Sequence, residues 1–335
     1  MVQGLFLDMK FLVVGCGSIG QRHIQNLRNL SAEEIIVYRV KKRELSEIEE
    51  KYCVRTYTDL DEALDQNPAA VLVTNPTSLH MPIALAAAKR GCHLFIEKPI
   101  SHSLDGVDEL VNIAGEKNLV ILVGYNLRFH QSVRLIKDLL DKNRIGNVVS
   151  ARVQAGQYLP DWHPYEDYRE GHSASRSLGG GVILDLSHEL DYIRWFLGEV
   201  KEVFSFSDKL SHLDIDTEDV AEILLRFHSG AIAEVHLDYV QRSSSRSCQI
   251  IGEEGTILLD SNEKNVKLFS IKDKKWQVFP ENLDYNQMYV EEMKHFINCI
   301  EGKEEPIIDV TEGKKVLEIA LAAKESSKTG KVIKT

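Results

Sequence analysis

A glycine-rich turn near the start of the chain is the first feature that suggests a chemistry. Residues 15–20, Gly-Cys-Gly-Ser-Ile-Gly, match the pattern G-x-G-x-x-G directly after an apolar run at 10–14 and before a helix-length segment. In that context Gly15 permits a tight turn, Gly17 lets a pyrophosphate approach the backbone, and Gly20 lets helix and strand pack closely, with the phosphate on the helix N-terminus. We predict a dinucleotide-binding site formed by Gly15, Gly17, Ser18, Ile19 and Gly20. The alternative is a turn kept only for packing.

The end of the second predicted strand bears on the choice between NAD and NADP, because a carboxylate there binds the adenosine ribose 2′-hydroxyl and repels a 2′-phosphate. The sequence at 38–43 reads Tyr-Arg-Val-Lys-Lys-Arg and has no carboxylate. Arg39 can stack on adenine and contact a 2′-phosphate. Further positive charge follows at Lys41, Lys42 and Arg43. We therefore predict NADP in preference to NAD, with a solvated basic loop, which leaves the preference open, as the alternative.

Polar turns follow two further apolar runs. The run at 69–73 is followed by Thr-Asn-Pro-Thr-Ser-Leu-His at 74–80, and the run at 93–96 by Glu-Lys-Pro at 97–99. If both runs are parallel strands, these turns lie at carboxyl ends, where ligands bind in open α/β sheets. We predict that this edge faces the nicotinamide half of the cofactor through Thr74, Asn75, Pro76, His80, Glu97 and Lys98. Among these, His80 is expected to cap or pack rather than to catalyse.

The elements that must position these turns alternate between strands and helices as far as about residue 124. Strands that are apolar throughout, joined by helices, imply a parallel sheet covered on both faces. From residue 148 onward, strand candidates follow one another directly, which favours an antiparallel or mixed sheet with one face covered by helices. Two helix-length segments end the chain. The predicted fold is α/β, with a doubly wound domain at 1–124 and an α+β domain with a mostly antiparallel sheet at 125–335.

Together these motifs resemble the Gfo/Idh/MocA family of glucose-fructose oxidoreductase and inositol dehydrogenase-like enzymes. The likeness covers essentially the whole chain and lies in G-x-G-x-x-G at 15–20, a T-x-P-x-x-x-H-like turn at 74–80, E-K-P at 97–99, and a triple glycine followed by Asp and His at 179–188. It implies an N-terminal Rossmann domain, a C-terminal α/β domain with a large open sheet, a nicotinamide cofactor, and a homodimer or homotetramer formed through that sheet. The segment Gln-Tyr-Leu-Pro-Asp-Trp at 157–162 is similar to a branch associated with surface-polysaccharide sugar pathways.

The resemblance also implies catalytic roles. In the family the lysine of E-K-P, here Lys98, lies beside the nicotinamide and the substrate hydroxyl, and its proline matches Pro99, whose peptide bond is often cis. The family usually places an Asp four residues before its catalytic His, whereas Asp185 precedes His188 by three; on one helix both would still share a face. An imidazole, with an ordinary pKa of about 6.5, suits removal of a hydroxyl proton at neutral pH. We predict His188 as the acid/base, Lys98 as the group that orients the hydroxyl and stabilises developing negative charge, and Asp185 as their partner, with a purely structural role as the alternative for each.

Two segments supply candidate substrate contacts. The segment at 125–129, Tyr-Asn-Leu-Arg-Phe, resembles a family segment at the domain junction; there Asn126 can bind the substrate or the carboxamide, while Arg128 can instead form a structural pair. The segment at 157–169 is dense in aromatic and hydrogen-bonding groups, which suits a pyranose ring with an apolar face and many hydroxyls. A packed surface loop is the alternative for that segment. The predicted substrate contacts are Lys98, Asn126, Trp162, His163, Arg169 and His188.

The composition excludes several classes of protein. The chain of 335 residues is long enough for about two domains. Its net charge of −11, from 40 basic and 51 acidic residues, argues against a protein that coats nucleic acid or an anionic membrane. Five widely spaced cysteines without a C-x-x-C pair, and the lack of an H-E-x-x-H motif, favour reduced thiols and no metal site. With no apolar run of about 18 residues and no basic N-terminal signal region, we expect a cytoplasmic protein that does not interact with membranes.

We therefore predict an NAD(P)-dependent oxidoreductase that transfers a hydride between the nicotinamide and a secondary hydroxyl or ketone of a sugar, nucleotide sugar or polyol. Two alternatives stay open. One is the chemistry of those family members that hydrolyse glycosides by transient oxidation with NAD, without the usual pair of carboxylates. The other is a cofactor-bound sensor without catalysis. Net reduction of the cofactor indicates the dehydrogenase. Product release without net reduction indicates the glycosidase, and cofactor binding without turnover indicates the sensor.

Overall fold

The chain folds into two compact units. The computed structural model describes three stretches of it, residues 9–40, 45–282 and 284–335. The first unit extends through Asn126 and includes a later segment, Asn286–Lys314. The second comprises Leu127–Tyr285 and Lys315–Thr335. The predicted domain boundary at residue 124 stays a prediction.

A parallel sheet forms the centre of the first unit. In the described residues it has six strands in the order β3-β2-β1-β4-β5-β6. The strands are β1 (Lys10–Val14), β2 (Glu34–Tyr38), β3 (Arg55–Tyr57), β4 (Ala70–Val73), β5 (His93–Glu97) and β6 (Ile121–Gly124). The order runs outward in both directions from β1, as in a doubly wound fold. Strand β4 is apolar throughout because both of its faces are covered, and Val71 and Leu72 are completely buried.

Helices connect the strands of this sheet. They are α1 (Ser18–Asn29), α2 (Leu45–Tyr52), α3 (Leu60–Leu64), α4 (His80–Lys89) and α5 (Val107–Lys117). In α1, Ile24 and Leu27 are completely buried, three residues apart on one helical face. Later in the chain come α6 (Gln131–Asp141), α7 (Val182–Asp185), α8 (His188–Leu197), α9 (Gln287–Ile300) and α10 (Val310–Thr329).

A nearly antiparallel sheet forms the second unit. In the described part of the chain it has nine strands in the order β14-β13-β12-β11-β7-β10-β9-β8-β15. They are β7 (Val148–Gly156), β8 (Val200–Asp208), β9 (Val220–Phe227), β10 (Ile232–Asp238), β11 (Ser245–Gly252), β12 (Gly255–Asp260), β13 (Asn265–Ser270), β14 (Lys275–Pro280) and β15 (Ile333–Lys334). Only the β7–β10 pair is parallel among the pairs described. Alternate residues of β9, such as Ile223 and Leu225, are buried, so one face carries the core, where α7 and α8 contact the sheet.

The sequence patterns did not predict several of the elements. Strand β3 has only three residues, too few for a visible alternation. Strand β14 lies at the edge of the second sheet, and four of its six residues are exposed, so it shows no buried apolar pattern. Helix α6 has a strong apolar face, with Val133 and Ile136 buried, and was missed although its period was readable.

One predicted element is wrong in a way that bears on the site. Asp185 and His188 do not share a helix, since Asp185 ends α7 and His188 begins α8. Leu186 between them has ψ of 30°, and the N–H groups of Ser187 and Glu189 reach back only three residues. The break therefore removes the argument that three-residue spacing places both side chains on one helical face.

Candidate active site

The glycine turn, Gly15–Gly20, lies between β1 and α1. Gly15 has φ of +94°, and a Cβ there would lie 3.0 Å from the backbone nitrogen of Asn75. A Cβ on Gly20 would overlap the carbonyl oxygen of Gly15. At Gly17, by contrast, a Cβ would meet no described atom within 4 Å. Two glycines are thus required by packing, while Gly17 keeps space open at the start of the helix.

This turn fits the pyrophosphate of a dinucleotide. Gly17 is the N-cap of α1 and provides no side-chain cap for the first N–H groups of that 12-residue helix. Those groups and the helix dipole favour an anion at this end. The open space at Gly17 is where the backbone must be approached closely. The residues present therefore suit the cofactor that the sequence predicts.

Two cations lie near the glycine turn. Burial raises the pKa of the Cys16 thiol, and the charges of Arg39 and Lys51 act in the opposite direction. Arg39 directly follows β2, and its N–H donates to the carbonyl of Tyr57 at 3.0 Å. Sequence reasoning missed Lys51, which lies on α2, because only the fold brings that helix to the turn. The predicted cations Lys41, Lys42 and Arg43 lie outside the described residues.

Thr74 and His80 hold the turns together. The Thr74 hydroxyl lies 3.0 Å from the carbonyl of Val14 and 2.9 Å from that of Gly15, so it braces the glycine turn. The buried His80 ring has one nitrogen 2.8 Å from the Asn75 carbonyl and the other 3.0 Å from the Pro99 carbonyl. These contacts agree with the expected packing role of His80.

Three predicted residues follow three adjacent strands of the first sheet. Asn75 follows β4, Lys98 follows β5 and Asn126 follows β6, and the peptide bond between Lys98 and Pro99 is cis. The side-chain oxygens of Asn75 and Asn126 are buried and accept no hydrogen bond from any described residue. Buried acceptors of this kind normally have a donor. The amide of a nicotinamide carries such donors, so this edge also fits the cofactor.

Glu97 has protein partners of its own. One of its oxygens lies 2.7 Å from Nε2 of His23, and the other accepts the N–H of Lys98 at 3.3 Å. His23 is completely buried and was missed by sequence reasoning. The position of His23 in the sequence could have revealed it, because a residue three places after Gly20 lies about one turn along the helix.

In the second unit, the triple glycine allows close packing before Asp185. A Cβ on Gly180 would overlap the carbonyl oxygen of His172. Gly181 has φ of +114°, and a Cβ there would overlap the carboxylate of Glu218. Glu218 is itself paired with Lys324 at 2.8 Å. The glycines therefore let α7 start directly against these neighbours.

Asp185 lies between a tyrosine and a histidine. The buried Tyr239 hydroxyl donates to one Asp185 oxygen at 2.5 Å, and Nε2 of His172 lies 3.3 Å from the other. Burial, and then the charge of Asp185, raise the pKa of Tyr239 well above its usual value, so this hydroxyl stays a donor at neutral pH. We call Asp185, Tyr239 and His172 the carboxylate cluster. Sequence reasoning found only Asp185, because its partners are remote in the chain.

His188 is half-buried at the start of α8, and the same helix carries two ion pairs. Asp191 pairs with Arg128, whose Nη2 lies 2.6 Å away, and both side chains are at most 2% exposed. Glu189 pairs with Arg246 at 2.6 Å. Within the second unit, Arg128 thus makes the structural pair that the sequence left open.

The predicted substrate segment divides into two parts. Trp162 packs edge-on against Tyr239, with ring centroids 5.3 Å apart, which places it beside the carboxylate cluster. His163 instead contacts the Tyr165 hydroxyl, and Arg169 forms a two-pronged pair with Asp167 at the surface. That guanidinium lowers the pKa of Asp167 to about 2. The contacts predicted for His163 and Arg169 stay predictions.

The described residues contain neither a metal-binding cluster nor a membrane-spanning helix. No group of three His, Cys, Asp or Glu side chains there is arranged to hold a metal ion. Among the helices described, none is both long and apolar enough to cross a membrane.

Two family descriptions match the chain. Residues 9–125 match "Oxidoreductase family, NAD-binding Rossmann fold", and residues 133–258 match "GFO/IDH/MocA C-terminal domain". The myo-inositol 2-dehydrogenase of Thermotoga maritima is 30% identical to this chain, covering 97% of it and 98% of the relative.

Solved structures share the fold at lower identity. The WlbA dehydrogenase from Bordetella pertussis, solved with NADH and UDP-GlcNAcA, has a TM-score of 0.83 and 23% identity over 98% of both chains. Levoglucosan dehydrogenase, solved with NADH and levoglucosan, has a TM-score of 0.88 and 19% identity over 98% of this chain and 99% of its own.

These findings confirm the predicted fold class, with its parallel sheet and its large, mostly antiparallel sheet. They also confirm the predicted class of enzyme, an oxidoreductase acting on CH–OH groups, since the relatives are named dehydrogenases. The chain belongs to the Gfo/Idh/MocA family of oxidoreductases, and its first part is an NAD-binding Rossmann domain.

Proposed function

We propose that this protein transfers a hydride between a nicotinamide dinucleotide and a secondary hydroxyl or ketone of a sugar, nucleotide sugar or polyol. The observation that carries the proposal is the row Asn75, Lys98 and Asn126 at the ends of adjacent strands. The two amides present buried acceptors, and the cation between them follows β5. A lysine that follows the strand between those of the two buried amides suits a site in which a hydroxyl oxygen gains negative charge next to a nicotinamide.

The chain's own residues supply positioning, charge and proton transfer in this proposal. When bound, the nicotinamide accepts or donates the hydride. Lys98 orients the substrate hydroxyl and stabilises negative charge on its oxygen. His188 takes the hydroxyl proton in the oxidative direction and returns it in the reductive one. Asp185, held by the Tyr239 hydroxyl, balances the positive charge that results.

A polyhydroxylated ring is the substrate class that the second unit supports. Trp162 stands edge-on to Tyr239 and is half-buried, so part of its indole is available for the apolar face of a sugar ring. The relatives are named for such compounds: myo-inositol, levoglucosan and, as the bound ligand of WlbA, a nucleotide sugar acid. We propose this class of substrate for the present chain and choose no single member of it.

For the cofactor, we infer that NADP is preferred over NAD. Arg39 and Lys51 both act electrostatically on Cys16, at the turn where the adenosine phosphates would bind. The five residues directly after β2, at 39–43, include no carboxylate that would repel a 2′-phosphate. The solved relatives contain NADH, so the inference depends on these two cations.

The first experiment measures reduction of NADP and of NAD, by absorbance of the reduced nicotinamide, with a panel of inositols, anhydrosugars and nucleotide sugars. Net reduction with at least one member is expected. Hydrolysis of a glycoside without net reduction would replace this function by the glycosidase, and tight cofactor binding without any turnover would leave the sensor.

Removing the Lys98 ammonium tests the site itself. Lys98→Ala should lower kcat by about 100- to 1,000-fold, the cost of losing one preorganised group that stabilises a developing oxyanion. Cofactor affinity, measured by fluorescence titration, should stay close to wild type. Lys117→Ala, which removes an exposed lysine at the end of α5, is the matched control. A fully active Lys98→Ala protein would refute the catalytic role.

A further inference from the structure

His23 connects the glycine turn to the loop that carries Lys98. It lies on α1, three residues after Gly20, and its side chain is completely buried. Its Nε2 atom lies 2.7 Å from an oxygen of Glu97, the last residue of β5. The helix whose N-terminus faces the cofactor phosphates therefore also contacts the residue immediately before Lys98.

Both carboxylate oxygens of Glu97 are hydrogen-bonded to other groups of the protein. The second oxygen accepts the backbone N–H of Lys98 at 3.3 Å. Gly124, on the neighbouring strand β6, leaves room for it, because a Cβ there would lie 3.2 Å from this oxygen. The carboxylate thus holds the start of the Lys98 turn from one side while His23 holds the carboxylate from the other.

The surroundings of His23 determine its tautomer. Its Nδ1 atom is buried and has no hydrogen-bond partner among the described residues. A proton on Nδ1 would be a buried donor without an acceptor, so the tautomer with its proton on Nε2 is favoured. The rings of Phe95 and Tyr289 stand edge-on to the imidazole, at 4.8 and 6.4 Å between centroids, and fix its plane. His23 therefore donates a hydrogen bond from Nε2 to an oxygen of Glu97.

We propose that His23 is a positioning residue for Lys98, acting through Glu97. This rests on the proposed function, in which Lys98 contacts the substrate hydroxyl. Glu97, predicted from the sequence as a cofactor contact, acts in this proposal as the connection between two parts of the site. The assignment extends the site to a residue that touches neither cofactor nor substrate.

Three variants of His23 separate positioning from bulk stability. His23→Gln places an amide N–H close to where Nε2 stood, His23→Asn places one close to Nδ1, and His23→Leu removes the donor. We expect kcat to fall by about 100-fold in the Leu and Asn variants, the size of effect that follows from misplacing a reacting group by about 1 Å. The Gln variant should recover most of kcat. KM and the cofactor dissociation constant should change little in all three.

If the Gln, Asn and Leu variants lose kcat equally and also lose thermal stability equally, the proposal is overturned. His23 then has only a packing role. Wild-type kcat in His23→Leu would overturn it as well.

A second measurement does not require turnover. The rate at which acetic anhydride modifies Lys98, quantified by peptide mass spectrometry against the exposed Lys117, reports the surroundings of the Lys98 amine. We expect this rate to change in His23→Leu and to stay at the wild-type value in His23→Gln. If the wild-type enzyme turns over no substrate, the proposed function fails, yet this measurement still decides whether His23 positions Lys98. An unchanged rate in His23→Leu would refute the positioning role.

Discussion

The glycine turn and the carboxylate cluster hold their functional groups in place in different ways. In the turn, the groups that meet a ligand are backbone N–H groups, and the constraint is the absence of a Cβ at Gly15 and Gly20. In the cluster, Asp185 is held by side chains that lie 13 and 54 positions away in the chain. The turn is thus specified locally and tolerates no Cβ at Gly15 or Gly20. The cluster depends on remote partners, and it is sensitive to the removal of any of them.

The largest loss of stability is expected where a buried ion pair of the second unit is broken. Arg128→Met would leave Asp191 buried without its ion-pair partner, which should lower the free energy of unfolding by about 3–5 kcal/mol. Denaturant unfolding measures this loss. Because two apolar groups can replace a buried pair at little cost, the double variant Arg128→Met, Asp191→Leu should be more stable than the single one. A single variant as stable as wild type would show that α8 does not depend on this pair.

Tyr239→Phe tests the cluster itself. It keeps the ring against Trp162 but removes a hydrogen bond to a charged group, so the free energy of unfolding should fall by about 1.5–3 kcal/mol. Since the pKa of Tyr239 is raised, its hydroxyl donates across the working range of pH, and no activity limb below pH of about 10 should belong to it. Without this donor one oxygen of Asp185 loses a hydrogen bond, so kcat/KM should fall. An unchanged kcat/KM in Tyr239→Phe would remove Asp185 from the catalytic role.

A pair of glycine variants tests the turn. Gly20→Ala forces a Cβ onto the Gly15 carbonyl, so it should cost about 1–3 kcal/mol of stability, and the better helix propensity of alanine cannot offset this clash. Gly17→Ala meets no described atom, so stability should stay unchanged while cofactor affinity falls. Thermal unfolding and fluorescence titration distinguish the two effects. Equal cofactor affinity in Gly17→Ala and wild type would contradict the placement of the pyrophosphate.

The smallest effect is expected for Arg39→Asp, which changes cofactor choice without changing the fold. A carboxylate at the end of β2 should repel a 2′-phosphate and bind a ribose hydroxyl, shifting the ratio of kcat/KM for NADP and NAD toward NAD by about tenfold or more. Lys51→Ala should produce a weaker shift in the same direction, because its charge also acts on Cys16. An unchanged ratio in Arg39→Asp would refute the inferred preference for NADP.

Much of the first unit was predictable because its signals are local. Apolar runs covered on both faces predict parallel strands, and the roles of the turns after β4 and β5 follow because ligands bind at the carboxyl ends of parallel strands. Less of the second unit was predictable. The helix break at Leu186 depends on how the triple glycine packs against His172 and Glu218, and no periodicity reveals such a packing.

The sequence by itself determined the fold class and the family. It predicts Gly17 from a motif whose spacing has a steric cause, and it predicts Lys98 and Asp185 through the family resemblance. Only the tertiary structure decided which side chains hold them. His23 meets Glu97, and Tyr239 and His172 meet Asp185, across distances in the chain that no local pattern spans. The physical reason is that backbone requirements are encoded at one position, whereas a hydrogen bond between buried side chains needs two positions that only folding brings together.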